Sequence, residues 1–187
     1  MRALILAMGL LVPAQGVALP AAYVLEPAKS TVGFETDFGI DKIRGFMPVT
    51  AADLKLDFDK VSASEIAVTL DVAGADASFP FAAQALRGPK VLDAGQFPIM
   101  TFQSTSVQAK GDGAVVQDLL TIRGIAKPVT MQAEIYRQKG YKDGDLSHLT
   151  IRLRGAVNRS AYGATGWSDM VGDQVRLDIL ARIVRVD

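Results

Sequence analysis

Apolar and polar residues alternate with a period of two in six separate stretches of this chain. Val32, Phe34 and Phe38 fall on one face, with Glu35 and Asp37 on the other. Leu54, Leu56 and Phe58 alternate with Lys55, Asp57 and Asp59. Ile66, Val68, Leu70 and Val72 alternate with Glu65, Thr69 and Asp71. The same holds for Val129, Met131, Ala133 and Ile135, for Leu149, Ile151, Leu153 and Val157, and for Val175, Leu177, Ile179 and Ile183. Period two is the mark of a strand with one apolar and one wet face. Two further strands are expected near 99–107 and 115–122, the second apolar on both faces near its end. Lys110-Gly111-Asp112-Gly113 and Lys142-Asp143-Gly144-Asp145 carry hairpin-tip chemistry. One stretch departs from the pattern: Pro80 to Arg87 is Ala-rich and followed by Gly88-Pro89, which predicts a short helix with Ser78 as its N-cap.

About eight antiparallel strands must bury their apolar faces, and one short helix cannot cover an open sheet. Two all-β solutions remain, a sandwich or a sheet closed into a barrel. Eight strands enclose an interior just wide enough for packed side chains or one small ligand. The 187 residues, with no internal repeat or linker, fit one domain.

Composition removes several function classes. Lys+Arg and Asp+Glu are both 20, so the chain lacks the basic excess that phosphate contacts require, and no nucleic-acid partner is expected. Apolar residues at 49% place it among globular rather than disordered chains. With no Cys there is no disulfide framework and no thiolate chemistry, and the single His, His148, precludes a His-rich metal site. No nucleophile elbow, P-loop, dinucleotide fingerprint or zinc-protease motif occurs. His148 next to the 143–145 turn reads as a solvent-facing strand residue rather than a base. Asp53, Asp57 and Asp59 read as a solvated strand face rather than a cation site. Asn158-Arg159-Ser160 matches a glycosylation triplet, a pattern that recurs by chance. Arg152, Arg154 and Arg159 would suit an anionic head group, but structural ion pairing is the expected role.

The N-terminus reads as a targeting segment. Arg2 precedes an apolar run over residues 3–12, and small residues follow at Gly16, Ala18, Ala21 and Ala22. That is the pattern of a secretory signal peptide over 1–22, with cleavage after Ala18 or Ala22. The run is too short to span a bilayer, which takes roughly 20 apolar residues. Removing it deletes one basic residue, leaving 19 against 20 acidic. The expected domain is therefore 23–187, exported to the periplasm, and held together by its core alone.

Tyr23-Val24-Leu25-Glu26-Pro27-Ala28-Lys29-Ser30 followed by Val32-Gly33-Phe34 resembles the opening of the YceI-like lipid/polyisoprenoid-binding family. Ile43-Arg44-Gly45-Phe46 resembles its V-x-G-x-F segment. Val91-Leu92-Asp93-Ala94 with Phe97-Pro98-Ile99-Met100-Thr101-Phe102 resembles its D-A-x-x-F-P stretch. Residues 120–129 resemble its L-T-x-x-G-x-x-x-P-V signature, and Arg159-Ser160-Ala161-Tyr162-Gly163 its late R-[ST]-x-[FY]-G motif. Each match is weak alone; their order and spacing make the resemblance specific.

The resemblance implies an extended, eight-stranded antiparallel, lipocalin-like barrel with a short helix. It implies a non-catalytic binding protein that carries or stores a long-chain isoprenoid lipid of quinone or polyprenyl type in an apolar tunnel. No covalent cofactor is implied. Transient contact with a membrane surface is, and a b561-type membrane cytochrome is a candidate partner, since some members occur with one. The family often has His at the positions of Lys29 and Asp37. If those histidines contact a head group, this chain contacts a different one. The rival readings are a periplasmic interaction or stress protein with a filled core, and an enzyme acting on an isoprenoid lipid.

An isoprenoid tail has no polar handle, so a tunnel must recognise it by shape and apolar area. About forty carbons buried at roughly 0.8 kcal/mol each sum to about 30 kcal/mol from water. That exceeds the affinity ceiling of about 18–21 kcal/mol. The donor, however, is a bilayer that is already apolar, so transfer is near neutral and both loading and release stay possible. By alternation the expected tunnel wall is Val32, Phe34, Phe38, Leu56, Phe58, Val68, Leu70, Phe102, Met131, Ile135, Leu153 and Ile179. Phe79, Phe81 and Leu86, in the helical stretch that interrupts the strands, are the expected rim, with residues 80–95 as a mobile segment at the mouth.

Overall fold

Every sheet contact joins antiparallel neighbours. The computed structural model describes residues 19–186. The expected signal segment lies outside the described residues except for positions 19–22.

In chain order the strands are β1 (Ala21–Leu25), β2 (Thr31–Phe38), β3 (Asp41–Phe46), β4 (Val49–Leu56), β5 (Glu65–Asp71), β6 (Asp76–Ala77), β7 (Ile99–Lys110), β8 (Gly113–Ile122), β9 (Ile125–Arg137), β10 (His148–Asn158) and β11 (Val171–Arg185). The helix α1 spans Pro80–Arg87, where the sequence placed it. Three of the eight staves are broken lines. β1 and β2 both run along β11, β1 against residues 183–185 and β2 against 171–180. Pro27, which has no amide hydrogen, opens a 3-10 turn between them. Ser30 mends the gap, its Oγ accepting from the Arg182 amide and donating to the Glu26 carbonyl. β3 pairs with β2 and β4 with β1, a line broken at Met47-Pro48. β5 and β6 form the third line, and β7 to β11 follow as long single strands. The β1–β11 pairing closes the ring. The expected eight-stranded barrel is therefore present, and closure leaves it no free edge between first and last staves.

Turn chemistry behaves as read at Gly111-Asp112, a two-residue hairpin with Gly111 at φ 58°. The 142–145 turn also forms, inside a longer 138–147 connection. A further tight hairpin joins β8 to β9 at Arg123-Gly124, both with positive φ (51° and 73°), as a type I′ turn requires. Ser78 does not cap α1. Phe79 occupies the cap position, without any side-chain bond, while Ser78 pairs with the Arg44 backbone on β3.

The turns at 39–40 and 123–124, helix α1 with residues 88–98, and residues 159–170 all meet at one end of the barrel. At the other end, Tyr23, Leu54, Leu56, Leu149 and Ile183 form a buried cluster, with Leu149 and Ile183 fully buried. The Tyr23 hydroxyl donates to the Leu146 carbonyl there, pinning the β9–β10 connection beneath it. The outer wall carries paired charges. Glu35 meets Lys42, Arg44 and Arg176, Arg152 forks onto Asp178, and Arg154 meets Glu134. Lys42 above all, with Arg44 and Arg176, holds the Glu35 carboxyl down at about 2. Such exposed pairs add little to stability individually.

Candidate functional site

Closing eight staves with one apolar face each leaves those faces looking at one another, and here they do not fill the space between them. A cavity of about 750 Å³ runs through the barrel. That lies in the range of pockets that take a sizeable organic ligand. All twelve residues assigned to a wall by alternation line it: Val32, Phe34 and Phe38 from β2; Leu56 and Phe58 from β4 and just past its end; Val68 and Leu70 from β5; Phe102 from β7; Met131 and Ile135 from β9; Leu153 from β10; and Ile179 from β11. Phe79, Phe81 and Leu86 also line the cavity. The wall is continuous because strand alternation never reverses on the inward side except at irregularities such as the bulge in β7 between Ser104 and Ser106.

Val68 packs against both the main core cluster and the cluster around Tyr23 and Leu149, so it marks the middle of the barrel rather than a terminus. At the α1 end Trp167 and Met170 join the cavity lining. Residues 88–97 are held by their own backbone bonds, among them Leu92 to Leu86, Asp93 to Gly88 and Phe97 to Asp93. Arg123, at the β8–β9 tip, adds two bonds from Nη1 to the Pro89 and Val91 carbonyls, each 2.8 Å.

Among the described residues three polar side chains are buried: Thr36, Asp118 and Arg159. Thr36 Oγ1 bonds the Gly172 and Gln174 carbonyls of β11. Arg159 lines the cavity and forms no ion pair of the expected kind, unlike Arg152 and Arg154. Its guanidinium donates to four carbonyls, Ala164 (2.6 Å), Gly166 (2.8 Å), Val171 (3.0 Å) and Gly172 (3.0 Å). One side chain thus folds the whole 163–172 connection, and burial lowers its pKa. Asp118 lies between Val116 and Leu120 on the inward side of β8, 1% exposed, and neither carboxylate oxygen accepts a bond. Ser104 stands opposite in register, its Oγ accepting from the Ile66 amide and making no bond to the Asp118 carboxyl. Burial pushes the Asp118 carboxyl up to about 7. Sequence alternation signalled the position of Asp118 but was obscured by the apolar run Leu119-Leu120 beside it.

His148 sits on the outside, stacked on Tyr141 at 4.3 Å. Ser147 Oγ lies 3.0 Å from His148 Nδ1 and also bonds Asp145 Oδ1. In a nucleophilic triad the imidazole links hydroxyl and carboxylate. Here the hydroxyl links the other two, so the group ties the end of a loop instead of activating Ser147. Asp57 likewise serves its own turn, accepting from the Asp59 and Lys60 amides.

Comparison with known proteins matches this geometry. The UPF0312 protein of Shewanella oneidensis is 28% identical over 174 residues, 88% of each chain. A UPF0312 protein of Vibrio vulnificus is 34% identical over 118 residues, and the match spans 62% of that protein's length and 61% of this chain. The crystal structure of Burkholderia cenocepacia BcnA superposes with a TM-score of 0.76 at 23% identity, covering 85% of this chain and 99% of that one. The Campylobacter jejuni YCEI protein gives 0.62 at 17% identity, over 100% and 99%. These structures share the barrel. The profile of the YceI-like domain matches residues 23–183, nearly all of the barrel from β1 into β11, and the chain belongs to the YceI-like domain family.

Proposed function

We propose that this protein is a non-catalytic, periplasmic carrier or store of a long-chain isoprenoid lipid, of quinone or polyprenyl type. The observation that carries the reading is the cavity: about 750 Å³, running through the barrel and walled along its length by Val, Leu, Ile, Met and Phe side chains. A barrel that only needed stability would fill that volume, because voids lose packing energy. Apolar walls with a mouth suit a ligand recognised by shape, and a bilayer donor keeps the exchange near neutral. No catalytic role is proposed. Thr36 and Arg159 spend their polar atoms on backbone carbonyls, Asp118 has an unbonded carboxyl but is not among the residues that line the cavity, and an enzyme acting on the lipid would need free polar groups around the reacting atoms. A b561-type membrane cytochrome is the partner class carried by this reading.

Native mass spectrometry of the exported protein tests it. The expected spectrum shows protein with a non-covalent lipid whose mass fits an isoprenoid series. A uniformly empty protein, stable and unable to take up an added isoprenoid quinone, overturns it and favours an interaction or stress role.

A further inference from the structure

The α1 end of the barrel carries a connected ring of exposed apolar side chains. Ile40 tips the β2–β3 turn and is fully exposed, and Phe81, in the first turn of α1, is 70% exposed. Met170, Trp167 and Phe79 are each more than one third exposed. The connections between them are explicit. The Gly39 amide bonds the Met170 carbonyl at 3.2 Å, which sets Ile40 beside Met170. Met170 bonds back to Trp167, and Gly166 bonds Lys90 at 2.9 Å. Lys90 Nζ sits 5.7 Å from the centre of the Trp167 ring. Phe38 and Phe79 rings lie 6.3 Å apart, joining α1 to the β2 side of the ring. Exposed apolar residues also occur on the barrel wall, among them Val24, Leu119 and Tyr136.

We infer that this ring is a docking surface for a lipid bilayer, which it meets mouth-first. Four of its members, Phe79, Phe81, Trp167 and Met170, also line the cavity, so the surface and the mouth are one structure. A ligand without polar handles cannot cross even a thin water layer cheaply, and seating these side chains among acyl chains dehydrates the opening at the moment of exchange. The chemistry is that of an interfacial site: an indole, large aliphatic side chains and one Lys whose ammonium stays at head-group level over the ring. Charges of both signs surround the ring, with Asp41, Asp93 and Asp169 alongside Lys42 and Lys90. Contact is therefore apolar, and neutral phosphatidylcholine suffices. The inference rests on the carrier reading for its purpose but not for its geometry.

Trp167 is the only tryptophan, so its emission reports on the ring alone. Phosphatidylcholine vesicles added to the full mature protein should shift that emission to the blue. Vesicles with brominated acyl chains should quench it, and the protein should float with the vesicles, at low and high salt alike. Ile40→Asp and Phe81→Asp should each weaken flotation about tenfold or more, since each removes a large apolar side chain that would seat among the acyl chains. Leu119→Asp, on the outer wall, should not. Both rim positions are exposed, so unchanged melting temperatures are expected for those variants. No flotation of the wild type, or flotation that requires anionic lipid and vanishes in salt, overturns the inference. Flotation left intact in both rim variants also overturns it. Lipid co-purifying with a protein that ignores vesicles sinks the docking surface and leaves the carrier standing. Vesicle binding by a protein that never holds lipid does the reverse.

Discussion

Val68 on β5 and Phe102 on β7 stand directly opposite each other, and both side chains face the cavity. Cross-strand neighbours of this kind set the local bore of a barrel. Val68→Trp therefore extends an indole into open volume beside Phe102. In a filled core the same change would cost about 1–3 kcal/mol through overpacking. Here the melting temperature is expected to hold while lipid uptake is lost. Thr69→Trp, one residue on and facing out, should change neither. Melting of Val68→Trp like a core mutant, with lipid content unchanged, would refute an open tunnel.

Gly45, in the I-x-G-F stretch, sits where a side chain has no room. It pairs with Phe34 across β2 and β3 and with Ala77 of β6. A Cβ there would collide with the Asp76 carbonyl and the Phe34 ring. Gly45→Ala should push Phe34 off the wall and break the short β3–β6 pairing, costing about 1–3 kcal/mol in urea unfolding. An unchanged denaturation midpoint would show that the ring has room the structure does not display.

Arg159→Met leaves four carbonyls of the 163–172 connection without their common donor. Bonds to a charged donor are worth about 1.5–3 kcal/mol each and do not add. A loss of about 2–4 kcal/mol is expected. Limited proteolysis should then cut first within 163–172, and cutting elsewhere first would contradict the clamp.

Alternation was legible in the sequence because period two survives wherever one strand face is wet. That is why twelve lining residues from Val32 to Ile179 could be assigned to one face without a structure, while Val116 and Leu120, on a strand apolar on both faces near its end, could not. The broken staves were not legible. Ala21–Leu25 and Asp41–Phe46 are short, and Pro27 and Pro48 interrupt them, so they exist only because β11 and one another supply the ladder. Arg159 sits in sequence among arginines that do form ion pairs, and nothing local distinguishes it. Its role depends on a connection of a dozen residues folding back onto it. Trp167 and Met170 lie in that same connection, where no periodicity exists to read.

The strand Ala21–Leu25 bears on processing. Ala21 and Ala22 pair with Leu56 and Lys55, and the Ala22 carbonyl accepts from the Val186 amide. If a signal segment is removed, cutting after Ala18 keeps this pairing and cutting after Ala22 destroys it. N-terminal sequencing of exported protein is expected to begin at Leu19. A start at Tyr23 with undiminished stability would show the pairing to be dispensable.

Asp118 gives the barrel a pH dependence opposite in sign to that of its surface acids. Asp37, Asp145 and Asp178 have carboxyls held low, chiefly by bonds from Arg176, Ser147 and Arg152 respectively, so their contribution is lost only as pH falls through their folded pKa values. Asp118 runs the other way. Its carboxyl ionises near 3.8 when unfolded and at about 7 inside the barrel, raised by burial. Between those values the folded protein binds the extra proton, so stability declines as pH rises through the window and levels off above it. Each pH unit of the window is worth about 1.4 kcal/mol. Asp118→Leu removes the ionisable group while keeping a similar shape between Val116 and Leu120. Urea denaturation at a series of pH values is expected to show wild type and variant converging near pH 4 and the variant more stable by an increasing margin up to pH 7. A constant difference across that range would mean that the carboxyl does not titrate there, and that a partner satisfies it in the folded state.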